Sequence, residues 1–249
     1  MKKGYLPKKL SYKTCNDLIR LGGKNDGGYL VSKSDIDRTK FLLSFGINDD
    51  WKFEKDFASI NPIPVRAYDA TTNFKLFLKR SLGAIFRLNF IEAFTKPFQY
   101  LSLKNFFSKE NKIIKKFVGI NDGDIHISMR EVFKDLNQND IFIKMDIEGS
   151  EYRCLEDIVK NQFKISGAVI EFHDVDLNLD KIIDFVEKFD LAIAHIHANN
   201  YFPVSESNIP LILEITFSKN GIFLDRNPIL PHQLDKPNNN DDIEIEISF

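Results

Sequence analysis

The sequence predicts an α/β domain built on a mainly parallel sheet with helices on both faces. Three observations lead there. Short apolar runs rich in Val, Ile and Phe each end in polar residues, as buried strands do. Amphipathic stretches at helical spacing separate several of them, and strands alternating with helices imply parallel pairing. The chain has 249 residues, 43% apolar and 28% charged, which suits one large globular domain and excludes disorder as the dominant state.

The runs, in order, are FLLSFGI (41–47), VRAYDA (65–70), IKKFVGI (114–120), IFIKMDI (141–147), GAVIEFHD (167–174), LAIAHIHANN (191–200) and LILEITF (211–217). LGGKNDGGYLV (21–31), with four glycines around Asp26, reads as a tight turn into a strand. Ser150 to Asn161 sets Tyr152, Leu155 and Val159 on one helical face behind Ser150 as N-cap. Leu179 to Phe189 repeats the pattern with Ile182, Phe185, Val186 and Phe189. The tail from Asp225 carries six acids and two bases, then closes with IEIEISF, which alternates like a strand.

Residues 75–116 break this rhythm. They hold ten Lys/Arg and two acids, a net charge of about +8, while the chain as a whole stands at −2. Phe86, Phe90, Phe94 and Phe98 recur every fourth residue, one face of a helix until Pro97 interferes. The segment is too long for an ordinary connection. It is expected to be a basic helical lid inserted within one domain of residues 1–249, covering an anionic acceptor and packing its Phe stripe on the sheet edge or a partner subunit in a homo-oligomer.

The near-neutral balance excludes a general polyanion binder, and no nucleic-acid partner is expected. Cys15 and Cys154 are two cysteines in a chain too large to be stapled by them, which fits a reducing, cytoplasmic setting. The first residues carry lysines without a following apolar run, and no stretch approaches a membrane span, so neither secretion nor stable membrane insertion is expected.

In open α/β sheets ligands sit beyond the carboxyl ends of the strands. There the sequence places Gly46 and Asn48 after the first run and Asp69 after the second. A carboxylate such as Asp69 accepts hydrogen bonds from ribose hydroxyls, but the residues read equally as a turn glycine and a solvated loop acid. No G-x-G-x-x-G is present. The corner Ile143-Lys144-Met145-Asp146-Ile147-Glu148-Gly149-Ser150-Glu151 carries more: two acids at a strand end, then glycine and a helix start. Its alternative is a helix cap, with Glu148 and Glu151 at the positive end of the dipole.

IKMDIEGSEYRCL resembles the signature of FkbM-type S-adenosylmethionine-dependent methyltransferases. SFGINDDWKFEKDF, VRAYDA, GINDGD with ISMREVF, GAVIEFHD and the ILEITF run resemble that family's neighbouring segments, so the likeness covers roughly residues 20–220. It implies a class I methyltransferase fold, Rossmann-like, with a seven-stranded sheet whose last strand is antiparallel. It also implies S-adenosylmethionine as cofactor and methyl transfer to a hydroxyl of a sugar or glycan, of the kind used in surface-polysaccharide biosynthesis. SFGIN departs from the family's richer glycine loop. The resemblance makes Lys24, Asp26 and Tyr29 cofactor contacts, alongside Gly46, Asn48, Asp69 and Asp146.

Glu171 and His173 share one strand face, His195, His197 and Asn199 the next, and Glu214 starts the strand after. Asp146, Glu148 and His173 are the catalytic candidates, with Glu148 and His173 both able to serve as base. His197, Asn199 and Glu214 are candidate substrate ligands. Asp146, Glu171 and His173 could instead hold Mg²⁺ or Mn²⁺, which leaves a metal-dependent hydrolase or phosphoesterase as the rival enzyme. A membrane-surface module using residues 74–116 is the rival outside catalysis.

Overall fold

The computed structural model describes residues 2–119 and 121–249. Its centre is a seven-stranded sheet: β1 (Phe41–Phe45), β2 (Val65–Tyr68), β3 (Lys112–Ile114), β4 (Ile141–Met145), β5 (Ile165–Phe172), β6 (Ala192–Ala198) and β7 (Leu213–Ser218). The order across it is β6-β7-β5-β4-β1-β2-β3. Only β7 runs antiparallel to its neighbours, β5 and β6. That is the class I methyltransferase arrangement. The strand order reverses between β1 and β4, which opens a crevice at their carboxyl ends.

The central strands lie within the apolar runs, because β1, β4 and β5 are buried on both faces and need continuous apolar sequence. The main core packs Leu43, Phe45, Ile143, Ile170 and Phe217 against Ile182 and Phe185 of the helix Val175–Lys188 and against Phe189, which caps it. The run at 114–120 divides. Its first residue closes β3, whereas Phe117–Gly119 pairs in parallel with His126–Ser128 away from the sheet. Ile120, the last residue of that run, lies outside the described residues. The turn around Asp26 joins Leu18–Gly22 to Gly28–Ser32 as an antiparallel hairpin, and Ile245–Ser248 of the tail pairs in parallel with Lys2–Tyr5.

The helix expected from Ser150 to Asn161 is shorter. A 3-10 turn (Glu151–Arg153) precedes a helix at Leu155–Lys160, and Ser150 makes no side-chain cap bond. The buried Glu151 carboxylate instead ties down the loop before the turn, accepting the Ile147 and Gly149 amides at 2.9 and 3.3 Å.

Between β2 and β3 stands a helical hairpin, α3 (Phe74–Phe86) and α4 (Phe90–Phe106). It is shorter than the 75–116 insertion, since residues 112–114 belong to the sheet. Phe77 and Leu103 bury against Ile47, Trp51 and Ala67. The Phe stripe does not pack within the chain: Phe86, Phe94 and Phe98 are 88%, 75% and 70% exposed. Nor does Pro97 end the helix, which runs through it.

Candidate functional site

The β1–β4 crevice holds a cleft of about 390 Å³, lined by the loops after β1, β2 and β4 and by Asp26 and Gly27 of the N-terminal hairpin turn. Gly46 makes the crossing possible. Its φ is +73°, and a Cβ there would collide with the carbonyl of Asp146. Backbone bonds from Gly46 N–H to Tyr68 O and from Asp146 N–H to Phe45 O lock the three strand ends together.

Asp69 fastens the same loops. Its Oδ2 accepts the amides of Ile47 and Asn48 at 3.1 and 2.6 Å, and its Oδ1 accepts from Thr71 N–H, Thr71 Oγ1 and Thr72 N–H. The expected ribose acceptor therefore faces the cleft with its oxygens engaged by the chain. The Thr71 hydroxyl is the one side-chain donor among them, and Thr71 is exposed.

Lys144 lies inside β4, an ammonium in an otherwise apolar strand. Its Nζ donates to Gly46 O at 2.5 Å and lies 3.8 Å from Asp146 Oδ2. Beneath the cleft, Glu54 of the helix α2 (Lys52–Ile60) accepts the Ser44 hydroxyl at 2.5 Å. Burial raises the Glu54 carboxyl, opposed by the Lys144 charge.

Asp146, Glu171 and His173 converge beyond the cleft, with ligand atoms within 4.8 Å of one another. His173 Nε2 lies 3.6 Å from Glu148, 3.9 Å from Glu171 and 4.0 Å from Asp146. On the other side of the ring Nδ1–H donates to Glu151 Oε1 at 3.2 Å. Burial depresses the imidazole, but the Glu151 hydrogen bond and the charges of Glu151, Asp146 and Glu148 outweigh it, and the net shift is upward. Burial raises Asp146, with Lys144 and His173 pulling the other way. Glu171 rises well above the usual carboxyl range through burial and then through Asp146 and Glu214. Glu171 is already bonded, accepting from Tyr29 Oη at 2.8 Å and Asn199 Nδ2 at 3.0 Å. The three groups are therefore held by neighbours, Glu171 by Tyr29 and Asn199 and His173 by Glu151, while their spacing would fit a divalent ion.

Several expected contacts land elsewhere. Lys24 is exposed and does not line the cleft. The Tyr29 ring is buried and does not line the cleft, but it backs three residues that do, donating to Asp146 at 3.4 Å and lying against Phe53 and Lys144. His197 and Glu214 are buried too deeply to meet a substrate. Both His197 nitrogens are spent, on Glu214 at 3.1 Å and on Glu244 of the tail at 2.8 Å. Asn238 bonds Glu214 at 2.6 Å, and His195 bonds Asp235 at 2.9 Å. The acidic tail thus closes over the β6–β7 edge, and burial turns these histidines into its clasp. Asn199 serves Glu171 instead of an open pocket.

Lys144 and Glu151 escaped the sequence reading as site residues. An ionisable side chain within an apolar strand is the signal that marks Lys144. Glu151 gives none, since an exposed capping acid and a buried histidine partner look alike in sequence.

The sequence matches the Methyltransferase FkbM domain over residues 23–202. Solved structures that resemble the chain include precorrin-6y C5,15-methyltransferase from Geobacter metallireducens, at 14% identity and a TM-score of 0.41, covering 74% of this chain and 85% of that one. Another is the fibrillarin pre-rRNA processing protein of Methanococcus jannaschii, at 11% identity and a TM-score of 0.38, covering 76% and 70%. No curated protein matches the chain in sequence. The match spans well over half of the residues and includes the β1–β4 crevice, and the chain belongs to the FkbM family of S-adenosylmethionine-dependent methyltransferases.

Proposed function

We propose that this enzyme methylates a hydroxyl oxygen on a sugar or glycan, with His173 as the base. The observation that carries the reading is His173 itself. Buried Glu151 holds Nδ1–H, which leaves Nε2 as the acceptor, and Nε2 lies beside Asp146 at the wall of the cleft. The neighbouring carboxylates that raise this imidazole also strengthen it as a proton acceptor.

The residues present fit the family's cofactor. Gly46 keeps the crevice floor free of a side chain, and the Thr71 hydroxyl on Asp69 is an exposed donor that a ribose hydroxyl can replace. Bound S-adenosylmethionine supplies an electrophilic methyl group. The chain's part is to align the acceptor hydroxyl and take its proton. As the oxygen–carbon bond forms and the methyl–sulfur bond breaks, leaving S-adenosylhomocysteine, the hydroxyl proton would pass to His173 Nε2. Glu148 and Asp146 stabilise the imidazolium. Glu148, 85% exposed in its side chain, then relays the proton to solvent. Positioning and proton transfer are the two contributions asked of the protein.

A hydroxyl-rich acceptor is supported by the exposed carboxylates of Asp26 and Glu148 at the mouth, which accept hydrogen bonds from adjacent hydroxyls. Arg80 and Lys116 also line the cleft and favour an anionic acceptor, such as a nucleotide-linked sugar or acidic glycan. The test offers labelled S-adenosylmethionine with nucleotide sugars, acidic oligosaccharides, catechols and RNA, and locates the label by mass spectrometry. Label on a sugar hydroxyl supports the reading; label on nitrogen, carbon or RNA alone overturns it.

A further inference from the structure

We propose that the α3–α4 hairpin seats this enzyme on an anionic membrane surface. The hairpin has two apolar faces and needs only one of them for its fold. The inner face, with Phe77, Ala84, Ala93 and Leu103, is buried. The outer face carries Leu82, Phe86, Leu88, Ile91, Phe94 and Phe98, between 50% and 88% exposed. Leu82 and Phe86 on α3, and Ile91, Phe94 and Phe98 on α4, recur at spacings of three and four and so share a face of each helix, and exposed apolar faces of this kind mark interaction surfaces.

Charge identifies the occupant. The patch lies within the segment of net charge about +8. Lys75 and Lys79 are exposed on α3, spaced at i−7 from Leu82 and Phe86, so they border its outer apolar face. A second copy of the hairpin would bring like charges together. An anionic bilayer offers acyl chains to the phenylalanines and headgroup charge to the lysines, the combination that holds amphipathic helices in the interface. Among the described residues no helix is long and apolar enough to cross a membrane, so the hairpin lies on the surface. The seat is coupled to the cleft. Lys96 and Arg80 grip Asp49 of the β1 loop at 2.6 and 3.3 Å. The proposal stands apart from what the cleft methylates, since it concerns binding to lipid alone.

The test is flotation of the full chain with phosphatidylcholine vesicles, with and without phosphatidylserine. The native protein should float with the anionic vesicles, less so as salt rises. Phe86→Ser with Phe94→Ser should lower the bound fraction roughly a hundredfold at an unchanged melting temperature, because both side chains are already in water. Lys75→Glu with Lys79→Glu should abolish the preference for phosphatidylserine. Failure of the native chain to float overturns the proposal. So does equal flotation on neutral vesicles, or a dimer in solution that Phe94→Ser dissociates, which would assign the face to a second copy.

Discussion

The Ser81 hydroxyl on α3 donates to the Ala93 carbonyl on α4 at 2.6 Å. Ala93 is the residue whose carbonyl Pro97 would serve as helical donor, four residues on, if proline had an N–H. The neighbouring helix fills the vacancy, which lets α4 run through Pro97 and ties the hairpin together. Ser81→Ala should cost about 1–3 kcal/mol, the penalty for stranding a buried acceptor. Amide exchange within residues 90–106 should quicken while that of β4 stays slow.

His173→Asn should lower turnover by about 10²–10⁴-fold with little change in cofactor affinity. Glu151→Gln tests how the ring is set. Glu151 raises the imidazole, so its loss should move the rising limb of the pH–rate profile to lower pH. A limb that does not move would reduce Glu151 to a cap.

Asp146→Asn and Glu148→Gln keep shape and remove charge. Asp146 joins the cleft to the histidine, so its variant should lose both cofactor affinity and turnover. Glu148 is exposed, and its variant should lose turnover alone. Melting temperatures should stay near the native value in both, and normal turnover in both would leave the corner a purely structural turn.

The tail clasp predicts a pH dependence of stability. Burial depresses His197, but Glu214 and Glu244 raise it to about 10. A histidine whose folded pKa lies above its unfolded one stabilises the fold fully below about 6.5 and loses that contribution as pH rises towards the folded value. Thermal stability should therefore fall from pH 7 to 10, and His197→Gln should flatten that slope.

The sheet was legible because its central strands are buried on both faces, and continuous apolar runs such as IFIKMDI have few other uses. The strand-end residues Gly46, Asp69 and Asp146 were legible for the same reason, since topology alone brings them together. His197 and Glu214 were misplaced because the partners that bury them, Glu244 and Asn238, are distant in sequence. The hairpin was less legible at two points. Pro97 reads as a helix stop unless Ser81 is known to face Ala93, and the Phe stripe reads as the face that packs on the sheet edge unless Phe77 and Leu103 are seen to fill that place.

The most direct test of the account is calorimetric titration of S-adenosylhomocysteine into the native chain, His173→Asn and Gly46→Val. The account predicts one-to-one binding of similar affinity to the native and His173→Asn proteins, and its loss in Gly46→Val, whose side chain would fill the crevice floor against Asp146. No binding to the native chain, or undiminished binding to a folded Gly46→Val protein, would contradict it.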